Sequence, residues 1–283
     1  MRVGMNLLLW TAAYEEREHG HLLDKLQGLG YDGAEFSIGS GTVEHYAAVA
    51  KRLNDLGLGA AAVCAPSPDE NPASPDAAVR ARAADWLRER IDLAHALGAD
   101  ILCGPNHSAF GHFTRLEPQP AEYAWSAEVL ASVGDHAQAA GVTLALEALN
   151  RFECYLCNTA AQVRDLVGRV DHPAIQSMID THHANIEEKD FEQAVVTLGD
   201  TLVHVHICEN DRGAPGAGQI DFDNVFAVLA RHGYDGWLNI ESFSRSDVEF
   251  ANAINVWREY STPDEVCSQG LATIREQLAR HYA

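Results

Sequence analysis

The chain has 283 residues, of which 47% are hydrophobic, enough to bury the core of one large domain. Its 20 Lys and Arg residues stand against 41 Asp and Glu residues, which gives a formal net charge of −21. A surface this acidic repels phosphate backbones and anionic lipids, so we expect neither nucleic acid nor a membrane as a partner. Neutral substrates, metal cations and small anions remain candidate ligands.

A helix that ends in glycine and leads into a short apolar run recurs roughly every 30 residues. The instances are LGYDGAEF (29–36), LGLGAAAV (56–63), LGADILCG (97–104), AGVTLALE (140–147) and HGYDGWLNIE (232–241). The apolar runs are too short for helices and do not alternate with polar residues. They are typical of strands that are buried on both faces.

In chain order, the pattern predicts eight strands, near residues 3–9, 33–37, 58–64, 99–104, 142–147, 174–180, 202–208 and 237–241. Amphipathic helices are predicted between them, for example over 76–97, 121–140, 159–169 and 222–232, and the tail 262–281 is predicted as an extra helix. Eight strand–helix units favour an α/β fold, a (β/α)8 TIM barrel in which residues 1–283 form a single domain. A doubly wound open sheet is the alternative.

The N-terminal segment and the cysteines indicate the compartment. The first twenty residues contain a short apolar run without a small-residue cleavage pattern, which indicates a first strand and not a secretory signal. No apolar stretch approaches the roughly 18 residues that a bilayer span needs. Six cysteines scattered through a long chain favour free thiols, so we expect a cytoplasmic protein.

Ligand-type side chains end the last four predicted strands, where a barrel carries its catalytic groups. They are Glu147, Asp180, His206 and Glu241. Burying unpaired carboxylates is costly, and only two cations, Arg151 and Arg212, are near enough in the sequence to neutralise the three of them. One divalent metal explains the set better. Oxygen ligands with one imidazole favour Mn²⁺, with Co²⁺ or Mg²⁺ as alternatives, over a structural zinc.

Further polar residues stand at other predicted strand ends. Glu35 and His107 are expected to contact substrate or to line the barrel mouth. Cys64 is a candidate for the pocket wall, although a buried cysteine that acts as a small hydrophobe is the default interpretation. His204 is in phase with His206, and one of these two is expected to be a core histidine.

Four segments, mostly in the C-terminal half, resemble the ketose 3-epimerases of the D-tagatose/D-allulose 3-epimerase type, which belong to the xylose isomerase-like TIM barrel superfamily. The segments are LEALNRFE (146–153), DTHHANIEE (180–188), HVHICENDRGAPGAG (204–218) and NIES (239–242). The resemblance implies a metal-dependent isomerase that epimerises a ketose at C3 through an enediolate.

The resemblance also implies roles for matching positions. Glu147 and Glu241 match metal ligands that are also the two acid/base groups. Asp180 and His206 match the remaining metal ligands. Three more residues match substrate contacts: Glu153, His183 and Arg212.

Other functions stay open. A hydroxypyruvate-type or other sugar isomerase, or a keto-sugar or inosose dehydratase, could use the same metal site. An abasic-site endonuclease needs a cationic groove, which the net charge disfavours, and a sugar-binding module would not require two carboxylates beside a metal. No Gly-rich phosphate loop follows strands seven and eight, so we expect an unphosphorylated sugar as the substrate. We also expect a homodimer or homotetramer.

Overall fold

The computed structural model describes residues 1–282, and its centre is a closed barrel of eight parallel strands. The strands are β1 (Arg2–Asn6), β2 (Gly33–Ser37), β3 (Gly59–Val63), β4 (Ile101–Gly104), β5 (Thr143–Leu146), β6 (Ile175–Asp180), β7 (Leu202–Ile207) and β8 (Trp237–Ile240). They neighbour one another in chain order, and β1 pairs with both β2 and β8. This closure confirms the TIM barrel and excludes the open doubly wound sheet.

Helices surround the barrel. Within residues 1–282 they are α1 (Glu16–Leu29), α2 (Val43–Leu56), α3 (Ala77–Leu97), α4 (Pro120–Ala140), α5 (Ala160–Val170), α6 (Thr181–Glu187), α7 (Phe191–Leu198), α8 (Phe222–Arg231), α9 (Val248–Ala253) and α10 (Pro263–His281). The predicted helices match α3, α4, α5, α8 and α10 to within one residue at each end. In this part of the chain, no helix combines the length and the apolar character that a bilayer span requires.

The first strand is shorter than predicted at its C-terminal end. The strand β1 ends at Asn6, and Leu7–Leu9 form a single 3₁₀ turn. The Asn6 side chain caps this turn, because its Oδ1 accepts a hydrogen bond from the Leu8 backbone N–H at 2.9 Å. The apolar run continues through the turn because Leu7 and Leu9 are still buried, so hydrophobicity alone does not mark the end of the strand.

The Trp237 side chain fills the N-terminal end of the barrel. Its ring fills space that a Cβ atom on Gly33 would need, since that Cβ would lie 2.5 Å from Trp237 Cη2. The Arg2 guanidinium lies 4.2 Å from the centre of the indole ring, and Asp100 Oδ1 accepts from the indole N–H at 3.2 Å. With this end filled, the carboxyl ends of the strands form the face where a ligand can enter.

Candidate active site

Four ligand-type side chains from consecutive strands meet at the carboxyl end of the barrel. Asp180 ends β6 and pairs in register with His206 of β7. Glu147 and Glu241 directly follow β5 and β8. All four are buried, and one ligand atom from each lies within 4.8 Å of the others. We call these residues the ligand cluster.

The chemistry of the ligand cluster fits a divalent cation. Among the described residues, the buried atoms Glu147 Oε1 and His206 Nδ1 have no hydrogen-bond partner. His206 Nδ1 lies 3.5 Å from Glu241 Oε2, 3.8 Å from Asp180 Oδ2 and 3.9 Å from Glu147 Oε1. An unpaired imidazole nitrogen that faces three carboxylates is a donor set suited to one hard or borderline metal ion.

Arg212 brings a positive charge to the cluster. Its Nη1 lies 2.9 Å from both Asp180 Oδ2 and Glu241 Oε2, and its guanidinium lies 4.8 Å from the centre of the Phe243 ring. Its backbone is left-handed, with φ of 64°, a conformation that costs a non-glycine residue roughly 1–2 kcal/mol. The loop after β7 therefore holds a strained conformation at the residue that carries this charge into the site.

His183 presents an N–H group beside Arg212. Its Nδ1 accepts hydrogen bonds from the backbone N–H of Asn150 at 3.1 Å and from Asn150 Nδ2 at 3.0 Å. A neutral imidazole that accepts at Nδ1 carries its proton on Nε2. His183 Nε2 lies 3.7 Å from Glu147 Oε1 and 3.0 Å from Arg212 Nη2. The Arg212 guanidinium has no acceptor, so it cannot accept the Nε2 proton in this contact, and one oxygen atom of a ligand can accept from both groups.

The carboxylates of the site differ in their proton affinity. Burial raises the pKa of Glu147 well above its ordinary value, and the negative charge of Glu241 adds to this effect. Burial acts in the same direction on Asp180, but the Arg212 charge and the neighbouring His183 and His206 together outweigh it, so the pKa of Asp180 lies well below its usual range. Burial also raises the pKa of Glu153. Opposite shifts in neighbouring carboxyls suit a site that moves protons.

A cavity of about 340 Å³ lies above the ligand cluster, within the roughly 300–1,000 Å³ typical of small-molecule sites. Its polar wall consists mainly of Glu147, Glu153, His182, His183, Arg212 and Glu241. An apolar wall comes largely from the segment that follows β8: Phe243, Phe250, Ile254, Val256 and Tyr260. The cavity can therefore hold a small polar molecule with its reactive groups against one wall.

Similar proteins identify the family. Residues 23–276 match the xylose isomerase-like TIM barrel family. A ketose 3-epimerase of Arthrobacter globiformis is 31% identical over 98% of this chain and 97% of its own length. An L-ribulose 3-epimerase of Mesorhizobium japonicum is 36% identical over 91% of this chain and 87% of its own length. The chain belongs to the ketose 3-epimerase family.

A solved structure of an L-ribulose 3-epimerase superposes on this chain with a TM-score of 0.94. It is 34% identical and covers 99% of this chain and 95% of its own. The resemblance drawn from the strand-end motifs is therefore confirmed. The ketose 3-epimerases are carbohydrate enzymes of the isomerase class.

The structure brings most of the predicted site residues of this family member together. Glu147, Asp180, His206 and Glu241 form the ligand cluster. The three residues matched to substrate contacts line the cavity beside it: Glu153, His183 and Arg212. The roles of these seven residues stay predictions.

Three other candidates, Glu35, His107 and Cys64, do not line the cavity, and their contact with substrate stays a prediction. Glu35 and His107 have no exposed surface, and Cys64 is 4% exposed. His107 Nε2 lies 2.8 Å from the Glu147 carbonyl oxygen, and Cys64 Sγ lies 3.2 Å from Asn106 Oδ1. These side chains join one loop or strand to the next beneath the cavity.

Buried polar residues near the cluster were missed by sequence reasoning. They are Asn6 in β1, Cys103 in β4, Asn239 in β8 and Cys208 after β7. Asn6 and Asn239 interrupt apolar strands, and that interruption was a signal that could have found them. The two cysteines gave no signal, because a buried free cysteine is ordinarily a small hydrophobe.

Proposed function

We propose that the protein epimerises a free ketose at C3 with one divalent ion held by Glu147, Asp180, His206 and Glu241. The observation that carries the proposal is the pairing of Glu147 and Glu241, whose ligand atoms lie within 4.8 Å of each other at the edge of the cavity. They come from strands three apart around the barrel, so their carboxylates can flank a small bound sugar.

Epimerisation at C3 requires a proton to leave one face of the carbon and another to arrive on the opposite face. One of the two carboxylates takes the C3 proton, which leaves an enediolate. The other, in its protonated form, delivers a proton to the other face, and the reverse reaction exchanges their roles. A bound divalent ion supplies Lewis-acid stabilisation of negative charge on the substrate oxygens. The raised pKa of Glu147 suits a group that must hold a proton in half of the cycle.

The remaining polar residues orient the sugar and stabilise its charge. The His183 Nε2–H and the Arg212 guanidinium can both donate to the oxygen atom that gains negative charge. Glu153 Oε1 accepts from Asn150 Nδ2 at 2.9 Å, which leaves its second oxygen to accept from a hydroxyl at the end of the sugar. Binding and chemistry would then use different atoms of one polar wall.

Turnover of a panel of free ketoses with Mn²⁺ in D₂O, followed by NMR, tests the proposal. We expect the C3 epimer, with deuterium incorporated at C3 and at no other carbon. An aldose product would favour the isomerase alternative, and a product that has lost water would favour the dehydratase. Absence of exchange at C3 in every ketose, from protein that binds Mn²⁺, would overturn the assignment.

We also propose Mn²⁺ as the native ion, a cytoplasmic location, one domain over residues 1–283 and a homo-oligomer. The oxygen-rich ligand cluster supports Mn²⁺, with Co²⁺ or Mg²⁺ as alternatives. Six buried, unpaired cysteines support a reducing compartment. Phe152 and Trp257 are 73% and 65% exposed, and large exposed apolar side chains favour association. Metal analysis of the purified protein and light scattering test the ion and the oligomeric state.

A further inference from the structure

Glu35 is a fully buried carboxylate beneath the ligand cluster. Five donors surround it: Asn6 Nδ2 at 2.7 Å and His206 Nε2 at 2.9 Å on Oε1, then Asn239 Nδ2 at 2.8 Å, His204 Nε2 at 2.9 Å and Cys103 Sγ at 3.3 Å on Oε2. A carboxylate offers about four lone-pair positions, so Glu35 is saturated. The donors come from β1, β4, β7 and β8, so this one side chain joins opposite sides of the barrel.

We propose that Glu35 is a positioning residue that keeps the proton of His206 on Nε2 and thereby directs the Nδ1 lone pair at the metal. This inference rests on the proposed metal centre. An imidazole that donates through Nε2 and is neutral has a bare Nδ1. Nδ1 is the His206 atom that faces the three carboxylates. A carboxylate behind a metal-binding histidine fixes the tautomer and ring orientation and increases the basicity of the ligand.

A second metal site at Glu35 is the competing interpretation, because Glu35, Cys103, His204 and His206 also offer ligand-type atoms within 4.8 Å of one another. The donors on Glu35 argue against it. Asn6 Nδ2 and Asn239 Nδ2 donate to the two Glu35 oxygens at 2.7 Å and 2.8 Å, and an amide N–H group cannot be a metal ligand. His204 Nε2 and His206 Nε2 also lie 2.9 Å from a Glu35 oxygen, within hydrogen-bond distance, so N–H groups account for these contacts without an ion.

Asn6 extends the same support to a second member of the cluster. Its Nδ2 donates to Glu35 Oε1 at 2.7 Å and lies 3.2 Å from Glu241 Oε1. Its Oδ1 accepts from the Leu8 backbone, which fixes which end of the amide faces the carboxylates. Glu35 is therefore connected directly to His206 and through Asn6 to Glu241, on the face away from the cavity.

The test compares Glu35→Gln with His204→Gln as the matched control. Both residues are fully buried and belong to the same hydrogen-bonded group around Glu35. His204 contacts Glu35 Oε2, however, and this hydrogen bond does not involve a proposed metal ligand. Mn²⁺ alone is titrated and its free concentration is followed by EPR. Glu35→Gln is expected to weaken Mn²⁺ binding by about 10–100-fold, the usual loss for such a supporting residue. The KM for the ketose at saturating Mn²⁺ should change little, and His204→Gln should retain Mn²⁺ affinity.

The outcomes separate this inference from the proposed function. Wild-type protein that does not bind Mn²⁺ would refute the metal centre itself. If the wild-type protein and Glu35→Gln bind Mn²⁺ with equal affinity, only the positioning role is refuted. Equal losses of Mn²⁺ affinity in Glu35→Gln and His204→Gln would refute it as well. A tenfold rise in KM with unchanged Mn²⁺ affinity would instead make Glu35 a substrate contact.

A measurement on the wild-type protein does not depend on whether Glu35→Gln folds. Histidine selectively labelled with ¹⁵N reports, by NMR of Mg²⁺-loaded protein, which ring nitrogen of His206 carries the proton. A proton on Nε2 supports the inference. A proton on Nδ1 overturns it.

Discussion

Arg212 Nη1 lies 2.9 Å from Asp180 Oδ2, inside the cluster proposed to bind the metal. A buried cation at this distance neutralises carboxylate charge and also repels a divalent ion. Arg212 therefore has two opposing effects, which substitution can separate. It stabilises the buried carboxylates, and it lowers their affinity for a second cation.

Arg212→Met is expected to bind Mn²⁺ more tightly than the wild-type protein while it turns over more slowly. Loss of a donor to the developing oxyanion should lower kcat by about 10²-fold. The metal-free variant should lose roughly 3–5 kcal/mol of stability, because a buried carboxylate loses its partner. Calorimetric Mn²⁺ titration and thermal unfolding measure both effects.

Arg151→Met is the control, since Arg151 pairs with Glu187 at the surface. Weaker Mn²⁺ binding by Arg212→Met contradicts the prediction.

Glu147→Gln and Glu241→Gln should each lower kcat by at least about 10²-fold and should also weaken Mn²⁺ binding, because each removes an acid/base group and a ligand charge. At saturating Mn²⁺, the remaining carboxylate can still exchange the proton on its own face. Each variant should therefore exchange the C3 hydrogen of one epimer with D₂O without forming the other. Glu249→Gln on exposed α9 is the control. More than a tenth of wild-type turnover in either variant is incompatible with two acid/base groups.

A free ketose should be a better substrate than its phosphate ester, with a kcat/KM ratio above one. Arg212, which lines the cavity, already contacts two carboxylates. Arg245 does not line it, because its guanidinium contacts Asn252 Oδ1 at 3.2 Å and the Val256 carbonyl oxygen. The acidic surface also slows the approach of a dianion. Initial rates on one ketose and its ester decide the matter, and a preference of about tenfold for the ester, worth ~1.4 kcal/mol, would refute the prediction.

Gly104→Ala should destabilise the protein far more than Gly111→Ala. Both glycines have positive φ, 119° and 67°, so both variants have backbone strain. A Cβ on Gly104 would also lie 2.2 Å from the Cys64 carbonyl oxygen, whereas a Cβ on Gly111 meets nothing within 4 Å. We expect about 1–2 kcal/mol for Gly111→Ala and on the order of 4 kcal/mol for Gly104→Ala.

The Gly104 variant should also weaken Mn²⁺ binding, since the Gly104 carbonyl oxygen accepts from the Glu147 backbone N–H at 3.0 Å. Thermal unfolding of both variants, with Mn²⁺ titration alongside, makes the comparison. Equal losses of Tm would show that φ alone matters and that the contact with Cys64 does not.

The barrel could be predicted from sequence because its signals are local. Gly30, Gly57, Gly98 and Gly141 each end a helix in the left-handed conformation, which glycine adopts at the least cost. The apolar run after each one predicts a strand buried on both faces. Carboxylates at the ends of such strands could be predicted to meet, because parallel strands bring their carboxyl ends to one face of the barrel. The family motifs then supplied roles that spacing alone does not contain.

The tertiary structure decided which inward side chains reach the cavity. Glu35 in the middle of β2 and Glu241 directly after β8 are both carboxylates that adjoin apolar strand residues. Glu35 lies beneath the ligand cluster, and Glu241 lines the cavity above it. The depth of a side chain depends on how the tilted strands are staggered around the barrel. That stagger is a property of all eight strands together, so no single strand's pattern encodes it. The contact between Glu35 and His206 therefore follows from the tertiary structure and not from the sequence of either strand.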